Sequence, residues 1–181
     1  TTALAIATLA AQSSVPTPAP DLSAADFAAL GITGVTADNL AKVNAVIDAI
    51  DPGVLATTPT VSALQHYVDT AVAAYNQAVL KVRAYMRDTV SNPAPNATTF
   101  ADLGLSDIDT ANEVASANYY LGTLMGAANA DASPSLIRTN LMAQWKALNT
   151  INLYASDNVN TAPSKADYLA AGVVWNANSD R

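Results

Sequence analysis

Residues 26–44 read DFAALGITGVTADNLAKVN, and the fold turns on how this stretch is parsed. A short helix ends near Leu30, and Gly31 then stands where a helix C-cap needs a positive φ. Gly34 permits a second bend. Thr36 is expected to cap a second helix, whose Leu40, Val43, Val46, Ile47 and Ile50 recur at helical spacing. A degenerate copy lies at residues 99–118, TFADLGLSDIDTANEVASAN. There Phe100 takes the place of Phe27, Gly104 that of Gly31 and Leu105 that of Ile32. Thr110 stands for Thr36 after a one-residue insertion, and Asn118 for Asn44. The opening of a third copy, DYLAAGV, occupies residues 167–173, with Tyr168 and Gly172 at the matching positions.

The same grammar extends outward. Ser23 is placed to cap the first helix, and the three prolines of SSVPTPAP (13–20) break whatever precedes it. Asp51-Pro52-Gly53 stops the second helix, and Thr58-Pro59 sets a cap followed by proline at a first helical position. The spacing predicts a long helix over about 59–89, striped by Val61, Leu64, Val68, Val72, Tyr75, Val79, Val82 and Met86, and closed by SNPAPNA. In the second copy Thr110 and Glu113 have the spacing of a capping box. Ser133-Pro134 mirrors Thr58-Pro59, and Ile151 and Tyr154 match Val82 and Tyr85. Ile6 and Leu9, in the opening TTALAIATLAA, match the same pair. That opening has the apolar character of a signal-peptide core but no charged flank before it, and is read as the tail of a helix.

The predicted fold is therefore all-α: tandem units of short, medium and long helix with a period of roughly 70 residues, stacked in an elongated bundle array. The expected organisation is a helix tail at 1–15, a first full repeat at 16–92, a second at 93–162 and the start of a third, truncated one at 163–181. The cut repeats would leave apolar positions unmatched. Leu4, Ile6, Leu9, Tyr168 and Trp175 are the candidate chain-to-chain interface, completed by neighbouring repeats or by another copy in a head-to-tail contact.

Composition narrows function by exclusion. Of 181 residues 51% are apolar but only 6% aromatic and 13% charged, which suits close-packed alanine-rich helices. The net charge is −7 and the eight basic residues are scattered, so a nucleic-acid partner is not expected, since phosphate binding needs clustered Lys and Arg. No apolar run reaches the roughly 18 residues of a membrane span, so membrane insertion is not expected either. Cysteine is absent, which removes disulfides, thiolate sites and a Cys nucleophile.

Candidates for chemistry each meet a structural reading. His66, the single histidine, falls on the long helix beside Tyr67 with no triad around it. Asp107, Asp109, Asn112 and Glu113 gather oxygen ligands but lack the loop glycine and bidentate Glu of a calcium site, and acids at a helix start follow from the helix dipole. Asn96-Ala97-Thr98 fits a glycosylation acceptor in a Pro-rich loop. Trp145 and Trp175, with Tyr119, Tyr120 and Tyr154, would either fill gaps in an alanine-rich core or form a binding face; core placement is expected for Trp145. No nucleotide, hydrolase or metalloprotease motif occurs, so neither enzymatic activity nor a cofactor is expected.

Residues 21–162 resemble the alanine-rich three-helix tandem repeats of very large bacterial secreted and cell-surface proteins of the adhesin kind. The carrying motif is GITGVTADNLAKVNAVIDAI at 31–50, with the Pro163–Tyr168 lead-in of the third copy. The second copy departs from it where Gly34 gives way to Asp107 and an insertion. The resemblance implies spacer or adhesive repeats without enzymatic activity; together with the cut repeats, the expected function is a non-catalytic structural segment of an extracellular bacterial protein, an adhesin stalk or a self-assembling filament. The alternative is a binding module whose helical faces recognise a host protein or glycan.

Overall fold

A computed structural model describes residues 21–50, 60–157 and 161–173. Among these, all regular structure is helical. The expectations for Leu4, Ile6, Leu9, Thr58-Pro59 and Trp175 fall outside the described residues. Two compact units divide the chain. Of the described residues, one holds those up to Ala78 together with Asp102–Gly104, the other Val79–Ala101 and those from Leu105 on.

In the first unit, α1 (Ala24–Ala29) starts at Ser23, whose side chain accepts from the Asp26 backbone N–H while the Asp26 carboxylate accepts from the Ser23 N–H at 2.8 Å. The helix closes in a Schellman turn. Gly31, at φ +81°, donates to the Ala28 carbonyl, and Ile32 reaches back to that of Phe27 at 3.0 Å. This turn carries Phe27 and Ile32 into the core, where they cluster with Val43, Ile47, Leu64 and Val68. Burying each such side chain is worth about 1.5–3 kcal/mol.

Next comes α2 (Leu40–Asp48), and its start corrects the expectation at Thr36. Asn39 holds the N-cap position, but its side chain turns backward. Its Oδ1 accepts from the Thr36 N–H at 2.8 Å and its Nδ2 donates to the Gly34 carbonyl at 2.9 Å. The buried amide thus holds residues 36–39 in a turn, and the α-helix begins only at Leu40. The long helix α3 (Val61–Arg87) opens with Thr60, whose hydroxyl accepts from the Ala63 N–H. Its predicted stripe is buried at Leu64, Val68, Tyr75, Val79, Val82 and Met86 and half-buried at Val61 and Val72. Gln65 ties α3 to the elbow by pairing with both the N–H and the carbonyl of Thr33.

Helix α4 (Ala97–Asp102) repeats the geometry of α1 with other residues. Asn96 Oδ1 accepts from the N–H and the hydroxyl of Thr99, so the glycosylation candidate serves as a cap. Gly104 sits at φ +77°, and Leu105 donates to the Phe100 carbonyl at 2.9 Å. Asp102–Gly104 belong to the first unit and lie on α2: a Cβ on Gly104 would stand 2.8 Å from that of Ala41, and Lys42 pairs with Asp102 at 2.8 Å.

In the second unit, α5 (Ala111–Tyr119) begins with the expected Thr110–Glu113 capping box. It runs into a π-helical segment, Tyr120–Met125, ended by Gly126 at φ +60°. Gly122 lies close to Thr89 within that segment: a Cβ there would stand 2.8 Å from the Thr89 methyl, which would have to rotate away. After a 3₁₀ turn (Ala127–Asn129), α6 (Pro134–Asp157) starts with Ser133 as cap and Pro134 first, as expected. Arg83 and Arg87 hold the intervening loop, one donating to the Ala132 carbonyl and the other pairing with Asp131. Helix α7 (Lys165–Ala170) packs on α6 and repeats the opening once more. It has a Ser164–Asp167 capping box, Gly172 at φ +87°, and Val173 donating to the Tyr168 carbonyl at 2.9 Å.

One further contact recurs. Asn44 Nδ2 donates to the Leu22 carbonyl at 2.9 Å, and Asn118 Nδ2 to the Pro95 carbonyl at 2.8 Å. Each clamps a second helix to the residue just before the cap of a first helix. No helix among the described residues is long and apolar enough to cross a membrane.

Candidate functional site: a polar groove between α5 and α6

Helices α5 and α6 pack side by side in the second unit and leave a groove of 270 Å³. Ile108, Ala117 and Leu148 supply its apolar surface, and Asn112, Asn149 and Asn152 its amides. Trp145 is half-buried along it, its indole N–H donating to Glu113 Oε1 at 3.0 Å. The core position expected for Trp145 is thus realised only in part, because the ring lies in the wall of an open groove. Gln144 is buried and donates to the Ser116 carbonyl at 3.2 Å, which fixes the spacing of the two helices.

Glu113 is the most constrained acid of the site. Its Oε2 accepts from the Thr110 hydroxyl at 2.7 Å, the Thr110 N–H at 3.0 Å and the Asp109 N–H at 3.4 Å. These donors, led by the Thr110 hydroxyl, with the Trp145 indole added, hold its carboxyl down at about 2 from an ordinary 4.5. A depressed folded-state value means that the stabilisation is present above about pH 4.5 and is lost as pH falls toward about 2. Unfolding in urea at about pH 7 and about pH 3 checks this. Wild type should lose more stability on acidification than Glu113→Gln, which has no carboxyl to titrate here. Equal losses in the two proteins would exclude the carboxylate as the titrating contact.

The remaining candidates separate. His66 is exposed and contacts the Tyr67 ring. Glu113 spends its oxygens on protein donors, and among the described residues no three acids or histidines gather to hold a metal. Tyr119 is exposed, whereas Tyr120, Tyr154 and Tyr168 are half-buried. Sequence reading passed over Asn149 and Asn152, although their four- and three-residue steps from Trp145 place all three on one face of α6.

Comparison of the chain with models of protein families, with curated proteins and with solved structures gives no match in any of the three. The fold class is all-α.

Proposed function

We propose that the chain is a non-catalytic structural segment built from tandem three-helix repeats, belonging to an extracellular bacterial protein of the adhesin kind, as a stalk or a self-assembling surface filament. The observation that carries this reading is the thrice-repeated opening. Ser23, Asn96 and Ser164 act as caps, and Phe27, Phe100 and Tyr168 follow each cap by one helical turn. Gly31, Gly104 and Gly172 then turn the chain at nearly equal positive φ. The elbows also find similar seats: Gly104 against Ala41 of α2, and Ala171 beside Ala115 and Tyr119 of α5. A rule in which each elbow seats on a preceding second helix adds unit after unit without needing a ligand.

Self-association is the partner this reading favours. Leu169 and Val173 are 51% and 46% exposed, whereas Ile32 and Leu105, the counterparts of Val173, are buried. Such apolar surface favours contact with another repeat. Light scattering of the 181-residue chain across concentration, with negative-stain images of the same samples, tests it. The mass should rise with concentration and fibres should appear. A strict monomer at every concentration would remove the filament and leave the stalk.

A further inference from the structure

The α5–α6 groove is not a requirement of the repeat. Where the second copy has Asn112, Glu113, Ser116 and Ala117, the first has Asp38, Asn39, Lys42 and Val43. Val43 is fully buried in its own core, while Ala117 is the smaller residue on the floor of the groove. The space beside Trp145 thus goes with a large-to-small difference at one repeat position, and the polar groups around it are peculiar to this copy.

Those groups define a ligand. Asn112 approaches from α5, and Asn149 and Asn152 from α6, each offering a carbonyl acceptor and two N–H donors on a planar amide. Glu113 is charged but already engaged by Thr110, Asp109 and Trp145. None of the described lining residues is a lysine or arginine, so the groove holds no positive charge to pair with an anion, and the Glu113 carboxylate disfavours one. Neutral amides that both donate and accept, beside a half-buried indole, match vicinal hydroxyls on a ring with an apolar C–H face. At 270 Å³ the groove falls just short of the roughly 300 Å³ at which drug-sized sites begin, which suits one sugar ring better than a run of extended peptide. We propose that this groove binds a neutral pyranose, as a free sugar or as a residue of a glycan chain. This goes beyond the structural role and does not depend on it.

The test is a titration of the intact ¹⁵N-labelled chain with glucose, galactose, mannose and N-acetylglucosamine, and with the disaccharides cellobiose and chitobiose. Indole and side-chain amide resonances are followed by NMR, at protein concentrations where light scattering shows no association. At least one sugar should give saturable shifts at Trp145, Asn112, Asn149 and Asn152 with a millimolar Kd, the strength expected for so few contacting atoms. Tighter binding of a disaccharide identifies a glycan chain as the source, and equal binding identifies the single ring. The double variant Asn149→Ala, Asn152→Ala removes two exposed amides from α6 and substitutes the strongest helix former, so it keeps the fold. Its affinity should fall about tenfold or more. Shifts that stay linear with every sugar, shifts elsewhere on the chain, or an unchanged Kd in the double variant would each overturn the proposal. Saturable binding of an unstructured peptide but of no sugar would overturn it in favour of a peptide groove.

Discussion

Phe27→Ala is expected to destabilise the protein by about 3–5 kcal/mol. Phe27 is fully buried and is carried into the core by the Schellman turn that sets Gly31 and Ile32 behind it. Truncation removes the transfer free energy of the ring and leaves a cavity among Ile32, Val43 and Leu64. The walls of that space are Ile, Val and Leu side chains already packed in the same core, which could refill it only by leaving their present contacts. Since a whole domain is stable by only about 5–15 kcal/mol, the loss is a large share of the total. Urea unfolding followed by circular dichroism measures it. Tyr168→Ala, at the matching but half-buried position of α7, should cost clearly less. Equal losses at the two positions, or a loss below about 1 kcal/mol at Phe27, would contradict a closed core around that ring.

Gly104→Ala should follow in size, at about 2–4 kcal/mol, and the contrast with Gly31→Ala carries the argument. Both glycines have positive φ, +77° and +81°, so both substitutions incur the left-handed backbone cost of about 1–2 kcal/mol. They differ in what the new methyl meets. At Gly31 nothing lies within 4 Å of it. At Gly104 it would stand 2.8 Å from the Ala41 Cβ and 3.4 Å from the Lys42 backbone nitrogen. Neither neighbour is the tip of a flexible side chain, so α2 itself would have to move, and with it the Lys42–Asp102 pair. Parallel urea titrations of the two variants decide the matter. If both lose the same amount, the Asp102–Gly104 segment does not sit tightly on α2.

Much of this fold is legible in the sequence because its signals are local. Ser23 and the Thr110–Glu113 pair are caps read from residue type and spacing, and Gly31, Gly104 and Gly172 meet a requirement of their own backbone; the Asp26 partner of Ser23 and the Ser164–Asp167 box have the same local spacing but were passed over. The stripe of α3 is readable for the same reason, since periodicity survives without knowledge of the partner. What is not legible depends on distant partners or on competition between near-equal choices. Thr36 is a sound cap by type, and it loses to an Asn39 amide that bonds Gly34 and Thr36 instead. The π segment at Tyr120–Met125 keeps an apolar pattern that an α-helix would also satisfy. The groove needed the azimuth of α5 against α6, which rests on the Gln144 bond to Ser116. Its Trp145–Glu113 bond joins residues that no spacing rule pairs.

The two asparagine clamps have a consequence for how the chain reaches its native state. Asn44 grips the carbonyl before Ser23, and Asn118 grips the carbonyl before Asn96, with the same donor atom and nearly the same length. A backbone carbonyl carries no side-chain identity, so either amide satisfies either acceptor while the chain is still open. Fidelity must then come from proximity, since each clamp joins residues only 22 or 23 apart in the chain. Where many such units follow one another, or many chains refold together, proximity weakens and exchanged clamps become kinetic traps. Synthesis that releases one unit ahead of the next would let each of these interchangeable latches meet its own neighbour first.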